Sequence, residues 1–165
     1  MASSNRHNKG KEQPEESFME TKDILRQLRE KNHLTQDQIA ERVMVTRQAV
    51  SRWENGETQP NTDTLKILSK EFNVSINTLL GSPRQLVCQC CGMPLSEDSM
   101  ISHEPDGSFN EDYCKWCYTD GEFAYKDKAS LIDFLIGHMP NPEQQPEDVR
   151  RVQYNQYLSL LKHWK

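Results

Sequence analysis

The sequence predicts a mainly α-helical protein built from two modules, and three observations lead to this prediction. Apolar residues recur at helical spacing between residues 22 and 80, all five cysteines lie between residues 86 and 125, and Gly81-Ser82-Pro83 separates the two patterns. A chain of 165 residues suits two small modules and is too short for most enzymes with separate cofactor domains. We divide the chain into three segments, residues 1–19, 20–82 and 83–165.

The first segment carries no sign of a folded element. Residues 1–19 are polar and show no periodic apolar positions, so we expect a disordered leader. The leader lacks the apolar stretch of a secretory signal, and no apolar run in the chain approaches the roughly 18 residues of a membrane span. We therefore expect a cytoplasmic protein with no membrane segment, in which cysteines favour metal or redox chemistry over structural disulfides.

Charge is divided unevenly along the chain. Residues 20–82 contain nine basic and nine acidic residues, whereas residues 83–165 contain eight basic and 13 acidic residues. The overall net charge of -5 would ordinarily argue against a nucleic-acid-binding protein. The uneven distribution instead suggests that the two modules have different partners.

Four amphipathic helices and a short fifth helix are expected in the first module. Thr35, Thr46 and Thr62 stand where N-caps are needed, and Asn55-Gly56 marks the end of the third helix. The fifth helix is expected over Ser75 to Leu80. The apolar positions that recur every three or four residues are Ile24, Leu25 and Leu28, then Ile39, Ala40 and Val43, then Ala49, Val50 and Trp53, then Leu65, Leu68 and Phe72.

The segment from Thr35 to Gly56 combines a short helix, a tight turn and a second helix. Arginine matches the O6 and N7 atoms of guanine, glutamine can pair with adenine, and a helix fits the major groove. Gln36 and Thr46 stand at helix starts, where side chains and free N–H groups can hold phosphates. The polar face of the second helix carries residues of these types, Arg47, Gln48, Ser51 and Arg52. The competing interpretation is that this is an ordinary helix face exposed to solvent.

The stretch from about Lys22 to Leu80 resembles the five-helix DNA-binding domain of phage repressors and Cro, the Xre-type family. The resemblance rests on the element order, the Gln at the start of the second helix and the run TRQAVSRWENG. It implies double-stranded DNA as the partner and a homodimer on a palindromic site. It also implies base contacts from Arg47, Gln48 and Arg52, a base or phosphate contact from Ser51, and phosphate contacts from Gln36 and Thr46.

Residues beside the polar face are given structural roles. Trp53, Glu54 and Asn55 are assigned to packing and capping. Many relatives have Gly where this chain has Met44, so we expect a strained left-handed backbone at that turn.

Four of the five cysteines form two Cys-x-x-Cys pairs, Cys88 with Cys91 and Cys114 with Cys117. This is the spacing of a four-thiolate zinc site, in which each pair grips the ion from one turn. The surrounding segment is too small and polar to fold around its own core, so a metal would stabilise it. A thioredoxin-like redox pair usually occurs once and is the weaker interpretation. Cys90 is surplus to the spacing and is interpreted as an incidental thiol.

The runs CQCCGMPL and DGSFNEDYCKWCYTDGEF resemble the zinc-ribbon domain found in some bacterial proteins, over roughly residues 86–165. The resemblance supports Cys88, Cys91, Cys114 and Cys117 as ligands of one structural zinc per chain. Two helices are expected after the ribbon, one over Lys128 to Met139 and one from Pro146 to the end. In the first of these, Leu131, Phe134 and Leu135 are expected to face inward.

The expected fold is therefore mainly α, a five-helix repressor-type helix-turn-helix domain joined to a small zinc ribbon followed by two helices. These features predict a sequence-specific DNA-binding transcription regulator and not an enzyme, because a closed four-cysteine site leaves no position for water. The acidic second module is expected to serve interaction or regulation, with a protein as a possible partner. Two alternatives stay open: a thiol- or metal-sensing regulator with Cys90 as its exposed reactive thiol, and an adaptor that no longer binds DNA.

Overall fold

The computed structural model describes residues 19–81 and 85–165, so almost all of the leader predicted over residues 1–19 lies outside the described residues. Each described range contains its own cluster of buried apolar side chains. The first cluster includes Leu25, Val50 and Leu68, and the second includes Cys88 and Leu131. Each half of the chain thus has its own core.

The first range folds into five helices, as the apolar periodicity predicts. Their bounds are α1 Thr21–Lys31, α2 Gln36–Arg42, α3 Arg47–Glu54, α4 Thr62–Phe72 and α5 Ile76–Leu79. Helix α3 packs against both α1 and α2, and α4 packs against α5. This packing places α3 with one face on the core and the other in solvent.

The helix ends follow the capping residues of the sequence, with one exception. The Thr35 hydroxyl accepts a hydrogen bond from the Gln38 N–H, and the Gln38 side chain accepts one from the Thr35 N–H. The Thr46 hydroxyl accepts from the Ala49 N–H. The prediction for α4 was wrong by one residue, because Asn61 caps the helix through a bond from Thr64 and Thr62 is its first residue. Asn and Thr are both good N-caps, so composition alone could not choose between neighbours.

The turn between α2 and α3 has the predicted left-handed residue. Met44 has φ of 56° and its side chain is 81 % exposed. A non-glycine residue in this region carries backbone strain, and the packing of α2 on α3 holds the turn in place.

The second range begins with a small cysteine-rich β structure. Strands β1, Ile101–His103, and β2, Phe109–Cys114, pair antiparallel with His103 opposite Phe109. Strands β3, Tyr118–Thr119, and β4, Glu122–Phe123, form a second antiparallel pair. A 3₁₀ turn at Asp98–Met100 precedes β1.

Two helices follow the strands, α6 over Lys128–His138 and α7 over Glu147–Leu158. The expectation that Phe134 faces inward was wrong, since Ile132 fills the core and Phe134 stacks on His138 with ring centroids 4.2 Å apart. Helix α7 also ends before the chain does, and a 3₁₀ turn at Lys162–Trp164 follows it. None of the helices in the two described ranges is long and apolar enough to cross a membrane.

Candidate nucleic-acid interface and metal centre

Helix α3 separates its apolar and polar residues as the sequence predicts. Val50 and Trp53 are 2 % and 7 % exposed and belong to the first core. Arg47, Gln48 and Arg52 are exposed, and Ser51 is half-buried. The structure therefore brings the predicted base-reading side chains together on the solvent face of one helix.

The last residue of α3 fixes that helix to its neighbours. Glu54 is 3 % exposed, and its carboxylate accepts two hydrogen bonds from Arg29 of α1, at 2.6 and 3.1 Å. These bonds raise the pKa of Arg29. The Arg26 guanidinium also donates to the Glu54 carbonyl oxygen at 2.6 Å. Sequence reasoning gave Glu54 a packing role but missed its arginine partners, because nothing local to the sequence links α1 to the end of α3.

Two predicted phosphate-binding residues already have partners within the protein. The Gln36 amide donates to Glu54 at 3.0 Å, so the side chain at the start of α2 is held beside the end of α3. The Thr46 oxygen caps α3 and keeps its own hydroxyl hydrogen for another acceptor. Both residues lie at the N-termini of helices that flank the turn.

An acidic residue stands close to the polar face of α3. Asp37, in the first turn of α2, lies 3.4 Å from the Arg47 Nε atom, and both side chains are exposed. An exposed pair of this kind is weak, so Arg47 can exchange this partner for a nearby anion.

The four cysteines of the two pairs converge on one point. Their sulfur atoms all lie within 4.8 Å of one another, and Cys91 Sγ is 3.9 Å from Cys114 Sγ. In a tetrahedral zinc site with bonds of about 2.3 Å, sulfur atoms are about 3.8 Å apart, so the arrangement fits such an ion. The Cys114 N–H also donates to Cys88 Sγ at 3.3 Å, as backbone groups do around metal thiolates.

Hydrogen bonds inside the cluster shift the pKa values of the thiols in opposite directions. The pKa of Cys88 is lowered, chiefly by its hydrogen bond with Cys114, whereas the pKa of Cys117 is raised, chiefly by its hydrogen bond with Cys114. Four thiolates this close repel one another unless a cation lies between them. The donor set therefore suits a soft divalent metal.

Cys90 does not match the idea of an exposed reactive thiol. Its side chain is fully buried in the second core, so the sensor alternative loses the accessibility on which it depended. Its neighbour Cys91 belongs to the cluster, and the Cys90 carbonyl oxygen accepts a hydrogen bond from Trp164 Nε1 at 2.7 Å. Cys90 is a packing residue in this structure.

The C-terminal segment encloses the cysteine turn. The Tyr157 hydroxyl donates to the Gly92 carbonyl oxygen at 3.1 Å, and Leu161 is buried in the core. Together with the bond from Trp164, these contacts tie the end of the chain to the loop that contains Cys90 and Cys91. Tyr157 and Trp164 thus pack within their own half of the chain.

Two family models match the chain, one in each half. The model described as "Helix-turn-helix" matches residues 25–79, and the model described as "Putative zinc ribbon domain" matches residues 87–165. The first match contains the polar face of α3, and the second contains all four clustered cysteines.

Two curated relatives match part of the chain. The chain is 48 % identical over 62 residues to the HTH-type transcriptional activator BcrR of Enterococcus faecalis, covering 38 % of this chain and 30 % of BcrR. It is 34 % identical over 62 residues to the antitoxin PezA of Streptococcus pneumoniae serotype 4, covering 38 % of this chain and 39 % of PezA. The chain therefore spans well under half the length of either relative.

A solved structure is also similar to part of the chain. The P22 c2 repressor protein, crystallised in complex with synthetic operator 9T, is 34 % identical and covers 38 % of this chain and 94 % of its own, with a TM-score of 0.37.

Proposed function

We propose that the chain is a sequence-specific DNA-binding regulator of the Cro/C1-type helix-turn-helix family, whose members are transcription regulators and not enzymes, with a zinc ribbon as its second half. One observation carries the proposal. Arg47, Gln48 and Arg52 stand exposed on a helix whose opposite face is anchored in the core. Such a helix can enter the major groove while the core that anchors it stays intact.

Each residue of the interface has a proposed role. Arg47 and Arg52 donate to guanine edges, Gln48 pairs with adenine, and Ser51 contacts a base or a phosphate. Gln36 and Thr46 hold phosphates at the two helix starts, and Glu54 keeps Gln36 in place.

The ribbon is proposed to hold one zinc ion per chain through Cys88, Cys91, Cys114 and Cys117. Zinc bound by four thiolates has no open coordination position, so it would stabilise the fold and would not activate water. Four thiolates and one Zn²⁺ would also make this already acidic half more negative, and phosphate would be repelled. We therefore assign this half to protein contacts, including contacts between subunits.

Selection of bound fragments from random duplex DNA tests the proposal. The expected result is enrichment of a palindromic sequence with half-sites about one helical turn, or a multiple of it, apart. Recovery of fragments without any shared sequence, with binding that merely falls with salt, would contradict sequence-specific recognition.

A further inference from the structure

Two carboxylates of the ribbon half bond the last helix of the DNA-binding half. The Asp98 carboxylate accepts hydrogen bonds from the Ser75 N–H at 3.0 Å and from the Thr78 hydroxyl at 2.9 Å. The Glu111 carboxylate accepts one from the Asn77 N–H at 3.0 Å. Both acidic residues are half-buried, where a hydrogen bond to a charged group is stronger than in open solvent. We call Asp98 and Glu111 the ribbon carboxylates.

Helix α5 depends on such contacts because it has only four residues, Ile76–Leu79. A single turn is not stable by itself in water, and its first N–H groups have no partner within the helix. The ribbon carboxylates supply partners at that end of the helix. The order of α5 therefore depends in part on residues outside the DNA-binding half.

Helix α5 in turn contacts the helix that holds α3 in place. Leu79 is fully buried in the first core, and the Thr21 hydroxyl of α1 donates to the Leu80 carbonyl oxygen at 3.3 Å. Further along α1, Arg29 bonds the Glu54 carboxylate at the end of α3. A continuous set of contacts thus joins the ribbon carboxylates to the recognition helix.

The ribbon carboxylates are also joined to the cysteine cluster through the backbone. Glu111 lies in β2, which ends at the clustered Cys114. The Lys115 N–H donates to the carbonyl oxygen of Met100, which lies close to Asp98 in the chain, at 3.0 Å. The segment is too small and polar to keep this shape alone, so removal of a bound metal would release both carboxylates from α5.

We propose that the ribbon carboxylates are positioning residues for DNA recognition. They hold α5 against α1, and α1 holds the end of α3, so the affinity of α3 for its DNA site depends on an intact ribbon without any contact between the ribbon and DNA. The inference rests on the proposed function and adds a role for the ribbon half within its own chain.

Hydrogen exchange, followed by NMR on the full chain without DNA, tests the link from the ribbon to α5. A chelator added to the zinc-loaded chain should speed exchange at least about fivefold at the two N–H groups that bond the ribbon carboxylates. The double variant Asp98→Ala/Glu111→Ala should exchange fast even with zinc. The matched control, Glu97→Ala/Glu122→Ala, removes two exposed carboxylates and should behave as the unchanged chain. Exchange that does not respond to the chelator would overturn the inference.

Titration of the selected DNA site, with zinc and with chelator, tests the link from α5 to recognition. The unchanged chain and the control should lose affinity at least about fivefold on chelation. The double variant should start from the lower affinity and lose little more, because both changes break the same link. Circular dichroism checks that the variants stay folded.

The outcomes of this titration separate the inference from the proposed function. An equal loss on chelation in all three proteins would show that the metal acts by another route, such as subunit contacts, and would overturn the inference. Fast exchange in the double variant with unchanged affinity for a selected site would contradict the inference alone. The absence of any selected DNA sequence would contradict the proposed function, and the exchange experiment would still test the link between the ribbon and α5.

Discussion

Asp98, in the ribbon half, is hydrogen-bonded to Ser75, the N-cap of a helix that belongs to the DNA-binding half. Its Oδ2 atom accepts a hydrogen bond from the Ser75 N–H at 3.0 Å, and its Oδ1 atom accepts one from the Thr78 hydroxyl at 2.9 Å. Glu111 of β2 adds a bond from the Asn77 N–H at 3.0 Å. Helix α5 is a single turn, so carboxylates at its start stabilise N–H groups that have no partner within the helix.

We expect Asp98→Ala to loosen α5 and to weaken the contact between the two halves. Loss of these bonds should cost about 1 kcal/mol of the free energy of unfolding and should speed hydrogen exchange at the Ser75 N–H. Hydrogen exchange followed by NMR measures the local effect. Glu97→Ala is the control, because its exposed carboxylate is adjacent but bonds only the nearby Ser99 among the contacts described. Equal exchange at Ser75 in both variants would show that the Asp98 bonds contribute nothing.

Arg47→Ala, Gln48→Ala and Arg52→Ala should each reduce affinity for the preferred DNA site by about 1–3 kcal/mol. Binding to random DNA should change much less, since the lost contacts are to base edges. Competition binding against both kinds of DNA measures the difference.

Lys126→Ala is the matched control for the arginine changes. It removes a positive charge from an exposed side chain in the other half, outside the proposed interface. It should leave sequence preference unchanged. If the arginine variants lose specific and random binding equally, their role is electrostatic only and base readout by α3 is wrong.

Gly92→Ala should destabilise the zinc-loaded ribbon more than Gly107→Ala does. Both glycines have positive φ, +78° and +82°, so both substitutions carry a backbone cost of about 1 kcal/mol. An added Cβ at Gly107 meets nothing within 4 Å, whereas at Gly92 it would lie 2.3 Å from the Tyr157 ring. Displacing that ring also breaks its hydrogen bond to the Gly92 carbonyl.

Thermal unfolding of the two glycine variants measures the difference. In a Tyr157→Ala background the obstruction is gone, and Gly92→Ala should then cost about as much as Gly107→Ala. A Gly92→Ala variant as stable as Gly107→Ala with Tyr157 intact would show that the C-terminal segment does not close on the cysteine turn.

Metal analysis of the purified protein should find one zinc per chain. Cys90→Ser should keep the metal, whereas Ser at Cys88, Cys91, Cys114 or Cys117 should lose it, because only those four sulfur atoms converge. A chelator should unfold residues 86–125 and leave residues 22–80 folded, as the two cores are separate. Acid should release the metal in the same way, since protons compete for thiolates. Retention of zinc by Cys88→Ser together with its loss from Cys90→Ser would contradict the ligand assignment.

Local rules predicted the features that depend on neighbours in sequence. Thr35 and Thr46 cap helices because an N-cap needs only the next three residues, and the Cys-x-x-Cys spacing alone indicates which sulfur atoms can share a metal. Contacts between distant segments gave no such signal. Asp98 is one of 13 acidic residues in its half, and nothing near it in the sequence distinguishes it as the partner of Ser75 at the start of α5.

Two errors in the second half have the same physical origin. Helical spacing from Leu131 and Leu135 allows either Ile132 or Phe134 to complete the buried face, and the tertiary packing selects Ile132. Helix α7 ends at Leu158 because the chain then turns back, which buries Leu161 and lets Trp164 donate a hydrogen bond to the Cys90 carbonyl oxygen. The spacing of apolar residues does not predict these contacts.

Glu54→Gln should lower both the stability of the DNA-binding half and its affinity for DNA. The substitution leaves the half-buried Arg29 guanidinium without its carboxylate, and we expect a cost of about 2–3 kcal/mol, below that of a fully buried pair because solvent reaches Arg29. It also alters the partner that holds Gln36. Urea unfolding measures the stability, and Glu57→Gln, an exposed change three residues later, is the control and should have little effect. A second change, Arg29→Met, should add much less in the Glu54→Gln background than in the unchanged chain, since the two residues act as one unit. Additive losses would mean that the pair is not what anchors α3.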